Sequence, residues 1–294
     1  MKIVCAIDGS RYSEWALDWL RRLCQPDESS LLLVHAVDMT QFKRWTRLNQ
    51  KTRSALVKVL EFSLEGAARL LEGAEVKAAR MCGDVRAKLL RGRPAEVIAR
   101  SAERERAELL VLGSRGVTEF QPMLLGSVSR QVLMRATCPV LVVKKPAGAL
   151  KKVVLGTDGS VESWKAVAWL RLLPERVRPT VTAVTVIPPL PLESVRVPAR
   201  ALAVGDQVEG ALRREAKKLA SRVAGTLRKD GFSAKGDVAV GPPGAELVRL
   251  ATSERADLIV VGSRSGRDAA EYFMGSVADT VVKHAPCSVL VHRG

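Results

Sequence analysis

The chain has 294 residues, 47% of them hydrophobic, which favours two domains of ordinary size with mostly aliphatic cores, since aromatics make up only 4%. No apolar run approaches the length of a membrane span, and the N-terminal run Ile3–Ile7 is too short for a signal peptide, so a cytoplasmic protein without membrane insertion is expected. The net charge of +16 is shared between the halves, 25 Lys/Arg against 16 Asp/Glu in residues 1–150 and 22 against 15 in 151–294, and a basic surface of this kind suits anionic ligands without choosing among them. Cys5, Cys24, Cys82, Cys138 and Cys287 are an odd, dispersed set that suggests neither a disulfide framework nor a zinc site, and His35, His284 and His292 have no metal-ligand spacing.

In chain order the pattern alternates. Strands are predicted over 2–8, 30–37, 85–91, 108–113 and 139–143. Helices are predicted over 12–24, 51–73 with fraying toward Cys82, 94–106 and 126–136. Pro94 opens the third helix, as proline does at a first turn. The second half repeats the series with strands near 152–158, 180–187, 234–240, 257–262 and 287–292. Its connection from Pro188 to Val204 is rich in proline and expected to be irregular.

The halves are one unit written twice. Lys2–Ser10 matches Lys152–Ser160, and Ala95–Ile98 matches Ala245–Val248, both at an offset of 150. Gly113 matches Gly262 and Cys138 matches Cys287 at 149, which places the loss of one residue in Arg100–Arg106. Domains are expected at 1–145 and 151–294. Strands alternating with helices imply a doubly wound parallel sheet in each, with ligands beyond the carboxyl ends of the strands. The seam, Lys144–Leu150, is so short that the halves are expected to touch.

Gly113–Arg130 reads GSRGVTEFQPMLLGSVSR and follows the apolar run Leu109–Leu112. Glycines at 113, 116 and 126, then Ser127 at a helix start, have the order of a phosphate site: close backbone approach, then free N–H groups and a positive dipole end. Ser127 is expected to cap that helix or to donate to a phosphate. Gly262–Asp279 repeats the pattern with Gly275-Ser276 thirteen residues after Gly262. The plainer alternative is that these glycines only make turns. Asp8, in Asp-Gly-Ser, is likewise either a site residue or a turn-forming acid, and Arg115 and Arg264 are either phosphate partners or solvated surface cations.

This motif, G-x-x-G, nine residues, G-S, together with Asp8-Gly9-Ser10 and Cys138–Val143, resembles the ATP-binding universal stress proteins, and the resemblance covers both halves. It implies two tandem doubly wound five-stranded α/β domains of strand order 3-2-1-4-5, packed as a pseudo-twofold pair. It implies ATP as the cofactor, with Mg2+, and with ADP or AMP as alternatives in the same site. The acids Asp8 and Asp158 are then expected at the adenosine portion and Ala36 and Val186 at the adenine edge. Ribose and phosphates fall to Gly113, Arg115, Gly116, Gly126, Ser127, Val128 and Ser129 in the first half, and to Gly262, Arg264, Gly275, Ser276 and Val277 in the second. The second half departs from the first at Ser265, with Gly266 one place late, and at Ala278 in place of Ser129. If position 116 needs positive φ, Ser265 is strained.

There is no P-loop and no evident general base beside the loop, and Glu119 and Asp268 inside it have no assigned aim. The leading expectation is therefore a nucleotide-binding stress-response module read by an unidentified protein partner. A slow ATPase in the same cleft ranks second, and a basic-surface binder of nucleic acid or acidic partners third. The basic stretches Lys43–Arg53 and Arg213–Arg222 are read as solvated faces. A further homodimer is compatible with all of this.

Overall fold

The structure, a computed structural model, describes residues 1–40, 49–117, 125–190, 199–263 and 274–293. The expectations on Lys43, Arg44, Arg47, Glu119, Arg264, Ser265, Gly266 and Asp268 lie outside them. The chain divides into two compact units, Met1–Ala147 and Gly148–His292.

In the first unit the elements are β1 (Lys2–Ala6), α1 (Arg11–Leu23), β2 (Ser30–Val37), α2 (Gln50–Ala78), β3 (Asp84–Arg91), α3 (Pro94–Arg104), β4 (Leu109–Gly113), α4 (Ser127–Arg135) and β5 (Val140–Val143). The strands pair in parallel in the order β3-β2-β1-β4-β5. The aliphatic runs of β1 and β4 are buried on both faces, as central parallel strands require, and the run of β5 at the end of this order is buried as well. Helices α1 and α2 pack on one face of the sheet, and α3 and α4 pack against each other on the opposite one. Helix α1 starts at the N-cap Ser10, whose hydroxyl accepts from the Ser13 amide at 3.2 Å, and it buries Ala16, Leu17, Leu20 and Leu23 at helical spacing.

The second unit repeats the series: β6 (Lys152–Gly156), α5 (Val161–Trp169) with a short 3-10 turn after it, β7 (Thr180–Ile187), α6 (Ala199–Lys229), β8 (Ala234–Val240), α7 (Pro243–Ser253), β9 (Leu258–Gly262), α8 (Ser276–His284) and β10 (Ser288–His292). Its strands are parallel in the order β8-β7-β6-β9-β10.

Two expectations are corrected. The offset falls from 150 to 149 between the second and third strands, not within Arg100–Arg106. Leu31 pairs with Val85 while Val181 pairs with Ala234, and the left-handed glycines Gly92 and Gly241 are 149 apart. The true counterpart of Ile98 is Leu247. A small-acidic-apolar pattern shifted by one residue hid this. Second, Cys24 and Cys82 form a disulfide, with Cα atoms 5.6 Å apart across a sequence separation of 58. The chain brings the end of α1 beside the end of α2 at the amino ends of the strands, where Gly83 N–H also donates to Pro26 O at 2.9 Å. Cys5, Cys138 and Cys287 are free and buried, and burial pushes the thiols of Cys5 and Cys138 up to about 12 and about 11.

Candidate functional site

The turn after β1 is built by Asp8, Gly9 and Ser10. Asp8 Oδ1 accepts from the Ser10 amide at 3.0 Å, and Gly9 takes φ +81°, which favours glycine. Ser10 Oγ donates to the carbonyl of Arg115 at 3.3 Å, which ties this turn to the loop after β4. Asp8 is therefore a turn-forming acid, and its second oxygen faces Gly116: a Cβ there would lie 2.9 Å from Asp8 Oδ2. Gly116 is not among the positive-φ glycines, so the strain argument for a serine at its counterpart falls; contact with the carboxylate is what restricts the position.

Gly113 answers to packing. A Cβ on it would come within 2.7–2.8 Å of Tyr12, so glycine lets β4 meet the start of α1. Gly262 serves the same end against Glu162 and Ser163 at 3.2–3.3 Å. Gly126, not Ser127, is the N-cap of α4, with φ −68° and its amide on Ser114 O at 2.8 Å; Ser127 is the first helical residue. Ser129 is buried and donates its hydroxyl hydrogen to Gly113 O at 2.7 Å, so its proton holds the loop. The first amides of α4 have no intrahelical acceptor, which leaves the positive end of the helix facing this space.

These elements surround a cavity of about 440 Å³ at the carboxyl ends of the strands, within the usual range for ligand sites. Its lining brings together all the first-half residues expected from the sequence: Asp8, Ala36, Gly113, Arg115, Gly116, Gly126, Ser127, Val128 and Ser129. Arg115 is braced by Tyr12, with Nη1 donating to the phenol oxygen at 3.4 Å and the guanidinium 5.7 Å from the ring centroid.

Sequence reasoning missed His35, Asp38 and Ile98, which also line it. His35 Nδ1 is 2.8 Å from Ile7 O and therefore carries the proton, leaving Nε2 for the cavity side. Asp38 Oδ1 accepts from Thr40 N and Oγ1 at 2.8 and 2.6 Å. His35 and Asp38 thus bring an imidazole and a carboxylate to the cavity, although the sequence shows no general base beside the glycine loop. Both residues sit at the end of β2, away in sequence from the glycine loop that drew attention.

The second unit has a cavity of about 250 Å³ in the same place. Asp158, Val186, Gly262, Gly275 and Val277 line it; Ser276 does not. Asp158 repeats the turn, accepting from Ser160 N at 3.0 Å. Pro188 stands in place of Asp38, Val186 of Ala36 and Ala278 of Ser129, so the lining is more apolar. Among the described residues no cluster of three metal-ligating side chains occurs, and no helix is long and apolar enough to cross a membrane.

Two parallel doubly wound units, each with a cavity at the switch point between strands one and four, define a tandem α/β protein. The family model for the universal stress protein family matches residues 1–144 and 149–293, and the chain belongs to that family. Universal stress protein MJ0531 of Methanocaldococcus jannaschii is 30% identical over 145 residues, 49% of this chain and 82% of that protein. YxiE of Bacillus subtilis is 31% identical over 151 residues, 49% of this chain and 98% of its own length. Over the whole chain, a universal stress protein structure from Archaeoglobus fulgidus aligns with a TM-score of 0.67 at 19% identity, covering 99% of this chain and 96% of that one, a likeness of fold.

Proposed function

We propose that the first unit binds ATP, with ADP and AMP as competing occupants, and that occupancy sets a state read by a protein partner in a stress response. What carries the reading is the convergence of Asp8, Arg115 and the amino end of α4 on one cavity of about 440 Å³, with the two loops tied through Ser10 and Arg115. A carboxylate suits sugar hydroxyls, and a guanidinium and helix amides suit phosphates, with Mg2+ accompanying the phosphates. The fit is restrictive at Gly116, where a side chain would meet Asp8. The second unit keeps Asp158 and the helix start in a smaller, more apolar cavity, and is proposed as a weaker site.

The test is the nucleotide released on denaturing purified protein, followed by calorimetric titration of the apo chain. No saturable binding of ATP, ADP or AMP would end the reading. His35 and Asp38 favour a second reading, slow ATP hydrolysis in the same cavity. Phosphate release that is lost in His35→Ala would support this reading, and turnover above about one per second would place the protein in the usual enzyme range.

A further inference from the structure

Helix α2 is 29 residues long, and its two halves meet different surroundings. In the carboxyl half Ala67, Leu71, Ala74 and Ala78 are buried. Ahead of Ala67, over about 25 Å of helix, no side chain is buried. Phe62 is 69% exposed and Val59 55%. Ala55, Val59, Phe62 and Gly66 recur at steps of four, three and four, so they share one stripe, and all four are exposed. Gly66 has no use within its own chain. A Cβ added there meets nothing within 4 Å, and it is not among the positive-φ glycines. Glycine in a helix interior is unfavourable, so its place on an exposed stripe is explained by the close approach of another helix.

Charges beside the stripe select that helix. Lys58 and Glu65 lie seven residues apart on the same edge of it, on either side of Phe62 along the axis. Lys58 has no ion pair among the described residues, and Glu65 meets Arg69 at 3.4 Å in an exposed pair of little worth. A second α2 laid antiparallel on the stripe, centred between Val59 and Phe62, sets Phe62 against Val59, Ala55 against Gly66 and Lys58 against Glu65, each twice by symmetry. A parallel copy would set Phe62 against Phe62 and bring no opposite charges together. The second unit lacks this arrangement. Gly9 faces Leu70 and Gly159 faces Leu219, which registers the two helices at 149, and Ala211 and Glu215 of α6 then stand in place of Phe62 and Gly66. One self-complementary stripe per chain closes a dimer and does not build a filament.

We propose that the amino half of α2 is a homodimer interface, independent of the nucleotide reading, in which two copies of the chain pair antiparallel through Val59, Phe62 and Gly66 with Lys58–Glu65 ion pairs across the seam. A single pair of helices is small for an interface, so dissociation on the order of micromolar is expected. The test is sedimentation equilibrium of the full-length chain across that range at low salt. The chain should be a reversible dimer, and Phe62→Lys should make it monomeric. Lys58→Glu should weaken the dimer about tenfold or more by setting like charges against each other, and adding Glu65→Lys should restore the affinity. All three side chains are exposed, so the variants should keep the wild-type circular dichroism. A monomeric wild-type chain, a dimer indifferent to Phe62→Lys, or no rescue by Glu65→Lys would overturn the proposal. So would a chain that stays monomeric and cosediments with anionic lipid vesicles, which would assign the stripe to a membrane surface.

Discussion

At the scale of single residues, glycines that look alike in the motif have different physical reasons. Gly113 answers to the approach of α1, so Gly113→Ala should cost about 1–3 kcal/mol of stability, the usual price of overpacking, read from urea unfolding. Gly126 answers to the helix start and cavity. Gly126→Val should abolish nucleotide binding at the first site while the unfolding midpoint stays close to wild type, because a branched side chain there stiffens the helix entry and fills ligand space. Unchanged nucleotide stoichiometry in that variant would make the loop purely structural. His292 gives a pH prediction. Burial lowers its pKa below the ordinary 6.5, with nearby Lys165 adding to the effect and Glu162 opposing it, and its Nδ1 is buried without a hydrogen-bond partner. The unfolded chain then binds the proton more readily. Stability is unaffected above the unfolded pKa and falls as pH drops from about 6.5 toward the lowered folded value. His292→Gln should flatten the fall of the urea midpoint between pH 7.5 and 5.5; an equal slope in the variant would assign it to other groups.

At the scale of elements, the corner joining the first two helices is held differently in the two units. In the first it is the Cys24–Cys82 disulfide. In the second, Arg178 donates to the carbonyls of Leu173 and Pro174 and lies 4.9 Å from the ring centroid of Phe232. The disulfide closes a loop of about sixty residues, so reducing it, or Cys24→Ser with Cys82→Ser, should lower the stability of the first unit by about 2–4 kcal/mol. Urea unfolding with and without dithiothreitol measures this, and a further loss on adding dithiothreitol to the double variant would assign the effect of the reductant elsewhere. The amino half of α2 leaves Val57, Val59 and Phe62 exposed, while burial begins at Ala67.

At the scale of the whole molecule, two units of one design are expected to bind unequally. The replacement of Ser129 by Ala278 removes a hydroxyl that donates to Gly113 O. The inequality rests instead on Pro188 and Val186, which replace Asp38 and Ala36 and remove a carboxylate, a backbone donor and space. Calorimetry should resolve two phases differing by about tenfold or more, the scale of one lost hydrogen bond to a charged group. Asp8→Ala should remove the tighter phase; its removal by Asp158→Ala instead would reverse the order. Strands β5 and β10 end the order of their own sheets with runs of buried aliphatic residues. An unpaired aliphatic edge strand favours association, so each half expressed alone is expected to dimerise or aggregate, and a well-behaved monomeric half by analytical ultracentrifugation would refute that expectation.

Much of this was legible in residue order. Aliphatic runs of four or five between helical periods specify buried parallel strands, because only a sheet covered on both faces tolerates them, and the repeat of Asp-Gly-Ser and of the glycine loop located both cavities. Local chemistry determined the turn at Asp8 and the start of α3 at Pro94, since both depend on neighbours in sequence. What needed the tertiary structure were the relations across long separations. The pairing of Cys24 with Cys82, the approach of Tyr12 to Gly113, and the entry of His35 and Asp38 into the cavity all depend on how helices lie on the sheet. The missing residue between β2 and β3 belongs with them. Composition tolerates a shift of one along an apolar pattern, whereas strand pairing does not, because each step turns a side chain to the opposite face.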